Sequence, residues 1–193
     1  HGQSVGLAAR RHELPAVIVV PHGNSIEKNA AMRALGVELI EHGADFQEAR
    51  EHAALIAAER KLHFVPAFHR NLLLGVATYS AELLRAVPDL DVVYVPIGLG
   101  SGICSMIAAR AALGRRVEIV GVVSDHAPTY ALSFAARAPI AHAVTTELAD
   151  GLACRVPEPQ ALELITTHVS RIVRVTDREI AAAMRAIYVD THN

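Results

Sequence analysis

Val92-Val93-Tyr94-Val95-Pro96-Ile97-Gly98-Leu99-Gly100-Ser101-Gly102-Ile103 is the stretch on which the fold is decided. A β-branched apolar run meets a proline, three glycines follow at alternate positions, and an alanine-rich helical pattern continues from Ile103 to Leu113. Strand, glycine-rich bend and helix in that order make half of a βαβ unit. The bend also has a chemistry. Glycine N–H groups approach an anion closely because no Cβ stands in the way. The free N–H groups and dipole of the following helix favour a phosphate at the same spot. Ser101 adds a hydroxyl donor, and no Lys or Arg lies in the loop, so binding rests on backbone donors. The competing reading is a tight βα turn whose glycines serve packing alone.

Working outward, similar apolar runs recur: Ala16 to Val20 before Pro21, Val37 to Ile40 after Gly36, His63 to Val65 before Pro66, Val117 to Val123, and Ile172 to Val175. The runs at 16–20, 92–95 and 117–123 are nearly continuous in apolar residues, as in parallel strands buried on both faces. Helix starts lie between them. Asn24 with Glu27 reads as a capping pair, closed by Gly36; Asp45 with Glu48 reads as another, and Thr176 with Glu179 as a capping box. The alternation predicts an α/β fold of parallel sheets flanked by helices. A polar break, His69-Arg70-Asn71, separates two groups of strands. It predicts a small α/β domain over 1–70 and a larger, phosphate-binding α/β domain over 71–193.

Composition narrows the function classes. Of 193 residues, 52% are hydrophobic and 20% charged, which excludes intrinsic disorder. A net charge of −2 leaves no broad basic footprint for nucleic acid. No apolar run approaches the roughly 18 residues of a membrane helix. The two cysteines, Cys104 and Cys154, imply no disulfide framework, which fits a reducing cytoplasm. The mixed, polar His1 to Glu13 does not read as a signal peptide. A chain starting at His1 and ending just after an unfinished helical pattern, Ile180 to Val189, reads as the middle of a protein.

Several phosphate-binding patterns fail at particular positions. No Lys-Ser/Thr pair closes the loop, so it is not a P-loop. The dinucleotide pattern G-x-G-x-x-G fails at Ile103, yet Asp125 follows the next strand and could take a ribose hydroxyl. A nicotinamide-binding oxidoreductase domain therefore stays as an alternative, with a non-catalytic fragment that keeps the fold as another. Leu99 breaks the nucleophile-elbow pattern, so Ser101 is not read as a hydrolase nucleophile. His42, His52, His63 and His69 do not share a helical face with a third acidic ligand, and no metal site is expected from them. Cys104 reads as a small buried residue rather than a thiolate. Arg110, Arg115 and Arg116 read as a solvated helix end.

Four segments, taken in order, add to this: His1-Gly2-Gln3-Ser4-Val5, the Gly98 to Gly102 loop, Ala149-Asp150-Gly151, and Val173-Arg174-Val175-Thr176-Asp177-Arg178-Glu179-Ile180. Their order and spacing resemble the serine/threonine dehydratase family of fold type II pyridoxal-phosphate enzymes, over nearly the whole chain. Gly75-Val76-Ala77-Thr78-Tyr79 departs from that family's Gly-Gln-Gly-Thr-Ile, and the glycine loop departs from its run of four glycines. With Ala127 to Phe134 and Asp190-Thr191-His192-Asn193, these departures resemble the hydroxyectoine-utilisation and phenylserine dehydratase branch.

The resemblance implies pyridoxal 5′-phosphate as cofactor and an amino acid as small-molecule substrate. The implied reaction is β-elimination from a hydroxy amino acid such as threonine or serine, giving a 2-oxo acid and ammonia. It assigns the cofactor phosphate to Gly98, Leu99, Gly100, Ser101 and Gly102, with Gly151 close by, and the substrate carboxylate to His1, with Gln3 beside it. The family's Schiff-base lysine would lie upstream of His1; Lys28 and Lys61 match no catalytic position. Some members hold a divalent cation through a Glu and an Asp, where this chain has Val123 and Thr129 or Pro128, so no metal is expected. Neither a nucleic-acid partner nor a membrane is implied, and the implied assembly is a homodimer or homotetramer.

Overall fold

The computed structural model describes residues 1–192; Asn193, which ends one of the stretches quoted above, lies outside the described residues. The chain forms two compact units, His1–Ala67 and Phe68–Asn193.

The first unit holds helix α1 (Gly2–Arg11), strand β1 (Val17–Val20), α2 (Ile26–Ala34), β2 (Glu38–Glu41) and α3 (Phe46–Glu59). β1 and β2 pair in parallel, Val17 opposite Glu38. Asp45 caps α3 as expected, its carboxylate accepting from the Glu48 amide at 2.9 Å, while Glu48 accepts from the Ala44 amide at 2.8 Å. The start of α2 is corrected by one residue. Ser25 is the cap, accepting from the Lys28 amide at 3.3 Å, because Asn24 is already engaged by Asn29. His63 to Val65 forms no strand. The run is three residues long, and Pro66 has no N–H to continue a ladder.

The second unit contains α4 (Arg70–Ala86), β3 (Val92–Pro96), α5 (Ser101–Ala112), β4 (Glu118–Ser124), α6 (Thr129–Ala136), a 3₁₀ turn (Asp150–Leu152), α7 (Pro159–His168), β5 (Arg171–Val175) and α8 (Asp177–Thr191). Its strands run parallel in the order β3-β4-β5. Only β4 has the burial expected of a strand covered on both faces, with Ile119 and Val120 fully enclosed. β1 and β3 do not, because each lies at a sheet edge; Tyr94 in the middle of β3 is 59% exposed. The core joins β4 and the inner face of α5 (Ile103, Met106) to Ala161 and Ile165 of α7. Parallel strands deliver all their C-terminal ends to one edge. There lie the glycine loop after β3, Ser124 and Asp125 at the end of β4, and Thr176 and Asp177 after β5. That edge is where open α/β sheets bind ligands.

Candidate functional site

The glycine loop is built to leave its amides open. β3 pairing carries one step past the strand, the Ile97 amide donating to the Val122 carbonyl at 2.8 Å. The next backbone donor with a partner is the Cys104 amide, on the Gly100 carbonyl at 3.0 Å. Between them, the amides of Gly98 through Ile103 donate to no acceptor among the described residues. Gly100 is the N-cap of α5 at φ +103 and offers no side chain to those amides. Left-handed backbone followed by helix turns successive N–H groups toward one concave spot, which suits an anion. α5 begins two residues earlier than the sequence pattern suggested, at Ser101, and so brings Ser101 and Gly102 into its first turn. Helices α2, α3, α4 and α8, by contrast, open on side-chain caps from Ser25, Asp45, His69 and Thr176.

The absence of Cβ atoms is required by packing as well as by any ligand. A Cβ on Gly98 would collide with the Gly151 carbonyl oxygen. Two residues far apart in sequence, both expected at the cofactor, are therefore in contact. A Cβ on Gly100 would come within 2.7 Å of the Ala161 Cβ, with the Tyr130 hydroxyl at 3.4 Å. The glycines thus serve both readings at once: they let the backbone nest against α6, α7 and the 150–152 turn while its N–H groups stay without acceptors among the described residues.

Two residues that sequence reading did not single out shape the surroundings. Tyr130 is 1% exposed; its hydroxyl donates to the Leu99 carbonyl at 2.7 Å and accepts from the Glu158 amide at 3.0 Å. Burial, with the nearby Cys154 thiol, pushes this phenol well above its ordinary range, so it holds the proton it donates. Asp177 is more than the second residue of a capping box. Its carboxylate accepts from the Thr146 hydroxyl at 2.9 and 3.0 Å, the Ser124 hydroxyl at 3.1 Å and the Glu147 amide at 3.2 Å. Burial opposes ionisation of this carboxyl, but its hydrogen bonds outweigh that and hold it below its ordinary 3.8. Thr146 in turn accepts from the Ala149 amide at 3.1 Å, so Asp177 anchors the strand of chain that leads to Gly151. No motif marks Tyr130. The Thr176–Glu179 pattern marks Asp177, but only as a helix start.

His1 and Gln3 belong to the other unit, where both are exposed at the start of α1, and His1 makes no side-chain cap. Cys104 is 1% exposed, and burial pushes its thiol up to about 12, which leaves no thiolate there. Asp125 is ion-paired with Arg174 Nε at 2.6 Å. His42 stacks on His52 with centroids 3.7 Å apart, and no three metal-ligating side chains gather among the described residues. Arg110 donates to the Val117 and His168 carbonyls at 3.2 and 3.3 Å, a structural use rather than a solvated helix end. No helix among the described residues is long and apolar enough to cross a membrane.

The open amides, the Ser101 hydroxyl and the positive end of α5 together fit a phosphate dianion. Comparison with known proteins points the same way. The pyridoxal-phosphate dependent enzyme family matches residues 1–192. The L-threonine ammonia-lyase of Thermotoga maritima is 33% identical over 186 residues, which make up 95% of this chain and 46% of that protein. The processed form of threonine deaminase isoform 2 from Solanum lycopersicum superposes with a TM-score of 0.89 at 27% identity, over 100% of this chain and 57% of that one. Maize serine racemase superposes with a TM-score of 0.88 at 27% identity, over 97% and 57%. The chain spans about half the length of the curated relatives it matches.

Proposed function

The chain belongs to the pyridoxal-phosphate dependent enzymes, and from that premise we propose that it carries the phosphate-binding half of a dehydratase (ammonia-lyase) site acting on threonine or serine. The observation that carries this reading is the run of open amides from Gly98 to Ile103 at the start of α5. In the proposal these amides and the Ser101 hydroxyl hold the cofactor phosphate, and the 71–193 domain is the one that binds it. Gly151, whose carbonyl lies against Gly98, bounds the cradle. His1 and Gln3 hold the substrate carboxylate. When bound, the cofactor withdraws electrons from the substrate α-carbon. Neither Lys28 nor Lys61, both exposed, is assigned the α-proton. Breaking Cα–H and Cβ–OH expels water, and hydrolysis then returns one water and releases ammonia, leaving the 2-oxo acid. A homodimer or homotetramer and a cytoplasmic location belong to the same proposal; Cys104 and Cys154 are both buried and form no disulfide among the described residues, which is consistent with a reducing compartment.

The test uses the full-length enzyme loaded with pyridoxal 5′-phosphate. Visible absorbance that borohydride quenches, together with a 2-oxo acid formed from L-threonine or L-serine, is the expected result. Fluorescence enhancement of NADH with no such absorbance would overturn it. Interconversion of serine enantiomers without oxo acid would move the reading to racemisation, the activity named for the maize neighbour.

A further inference from the structure

We propose that Tyr130 is a positioning residue that sets the orientation of the phosphate cradle, an inference that rests on the function proposed above. The peptide between Leu99 and Gly100 is trans, like every other among the described residues. Its C=O and N–H therefore point in opposite directions. The Tyr130 hydroxyl donates to the Leu99 carbonyl at 2.7 Å and so turns that oxygen toward the protein interior. The Gly100 N–H must then point away from Tyr130, and it is one of the loop's open amides. Without the tether, this plane could rotate and put a carbonyl dipole where the phosphate oxygens would lie.

The hydroxyl itself is held. Its oxygen accepts from the Glu158 amide at 3.0 Å, which leaves its proton directed at Leu99. Its ring is buried beneath the loop, and the hydroxyl lies 3.4 Å from where a Gly100 Cβ would stand. A rotatable hydroxyl is thus converted into a one-way donor. Tyr130 sits at the start of α6 and Glu158 is the N-cap of α7, so two helices downstream of the loop set the direction of its amides. Nothing in this places Tyr130 against the phosphate; its influence passes through the Leu99–Gly100 peptide. The consequence is selective. Losing the hydroxyl should weaken recognition of the phosphate and spare recognition of the rest of the cofactor.

Tyr130→Phe keeps the ring and removes only the hydroxyl. In the full-length enzyme, dissociation constants would be measured for pyridoxal 5′-phosphate and for pyridoxal, which lacks the phosphate. The variant is expected to bind pyridoxal 5′-phosphate about tenfold more weakly, the scale of one hydrogen bond to a charged or buried group, and pyridoxal within about twofold of the parent. The ³¹P resonance of the bound phosphate should also shift. Ile119→Val, a core change in β4 away from the loop, lowers stability without touching the tether and should leave the ratio of the two constants unchanged. Equal weakening of both ligands by Tyr130→Phe, or an unchanged ratio, would overturn the proposal. A parent enzyme that does not prefer the phosphorylated ligand would instead overturn the function proposed above.

Discussion

Two helices leave the same edge of the second unit's sheet, α5 after β3 and α8 after β5, and they begin in opposite ways. α8 supplies its own partners. Thr176 accepts from the Glu179 amide while Glu179 accepts from the Thr176 amide at 2.8 Å, and Asp177 gathers four further donor contacts. α5 begins on a glycine that supplies no side chain, and its first amides are left without partners among the described residues. The same backbone problem, orphan N–H groups at a helix start, is solved internally in one place and left for a ligand in the other. A helix start that the protein completes for itself is a structural joint. One that it leaves open, on a loop held by buried neighbours, is a site.

The sharpest way to break this contrast is to fill the open end. Gly98→Ala puts a Cβ against the Gly151 carbonyl, and the backbone there must move. Overpacking of this kind costs about 1–3 kcal/mol. If that cost falls on the loop, cofactor affinity should drop roughly 10- to 100-fold. Equilibrium dialysis of pyridoxal 5′-phosphate measures it. Unchanged affinity would mean that the glycine serves packing alone.

The second prediction tests the closed end. Asp177 and Glu179 both ionise below their ordinary values, 3.8 and 4.5. For Glu179 the hydrogen bonds from the Thr176 amide and hydroxyl are the first causes. A carboxyl whose folded value is depressed adds stability that is fully present above its unfolded value. That stability is lost as pH falls through the folded value. Acidification through pH 4 and below should therefore loosen residues 146–149 and the start of α8. Hydrogen exchange of the Glu147 and Ala149 amides against pH follows this directly. Asp177→Asn, which keeps the shape but not the charge, should raise their exchange at pH 7 and remove the acid transition there. An acid transition that persists in Asp177→Asn would assign it to other groups.

How far these regions were legible in the sequence follows from the kind of signal each carries. The Thr176–Glu179 box and the glycine spacing of the loop are local patterns, so both helix starts could be read from a few consecutive residues. The five strands were legible because β-branched runs ended at Pro, Gly or polar residues. His63 to Val65 imitated that pattern but was too short and had Pro66 at its end. Burial misled at β1 and β3, since apolar content shows what a strand can bury and not whether it lies at an edge. Tyr130 and the second role of Asp177 were illegible for a different reason. Their partners, Leu99 and Thr146, are 31 residues away in sequence. A hydroxyl that aims a distant carbonyl leaves no periodicity behind.

The smallest expected effects form a pair, and they separate the two helix starts most cleanly. Thr176→Ala removes the cap of α8, for which about 1 kcal/mol of stability is the usual loss. It touches nothing in the glycine loop, so phosphate affinity should stay where it was. Ser101→Ala does the reverse. The Ser101 hydroxyl has no partner among the described residues, and alanine favours a helix slightly more than serine does, so the ligand-free fold should lose nothing and gain at most about 0.5 kcal/mol. If the hydroxyl donates to a bound phosphate, affinity for pyridoxal 5′-phosphate should fall a few-fold, as for one lost hydrogen bond that water partly replaces. Thermal melting with and without cofactor reads both changes in one experiment: Thr176→Ala should lower the midpoint equally in both conditions, whereas Ser101→Ala should narrow only the gap between them. If Ser101→Ala narrows nothing while Gly98→Ala still weakens binding, the cradle works through main-chain amides alone, and the hydroxyl at its rim is a helix residue like any other.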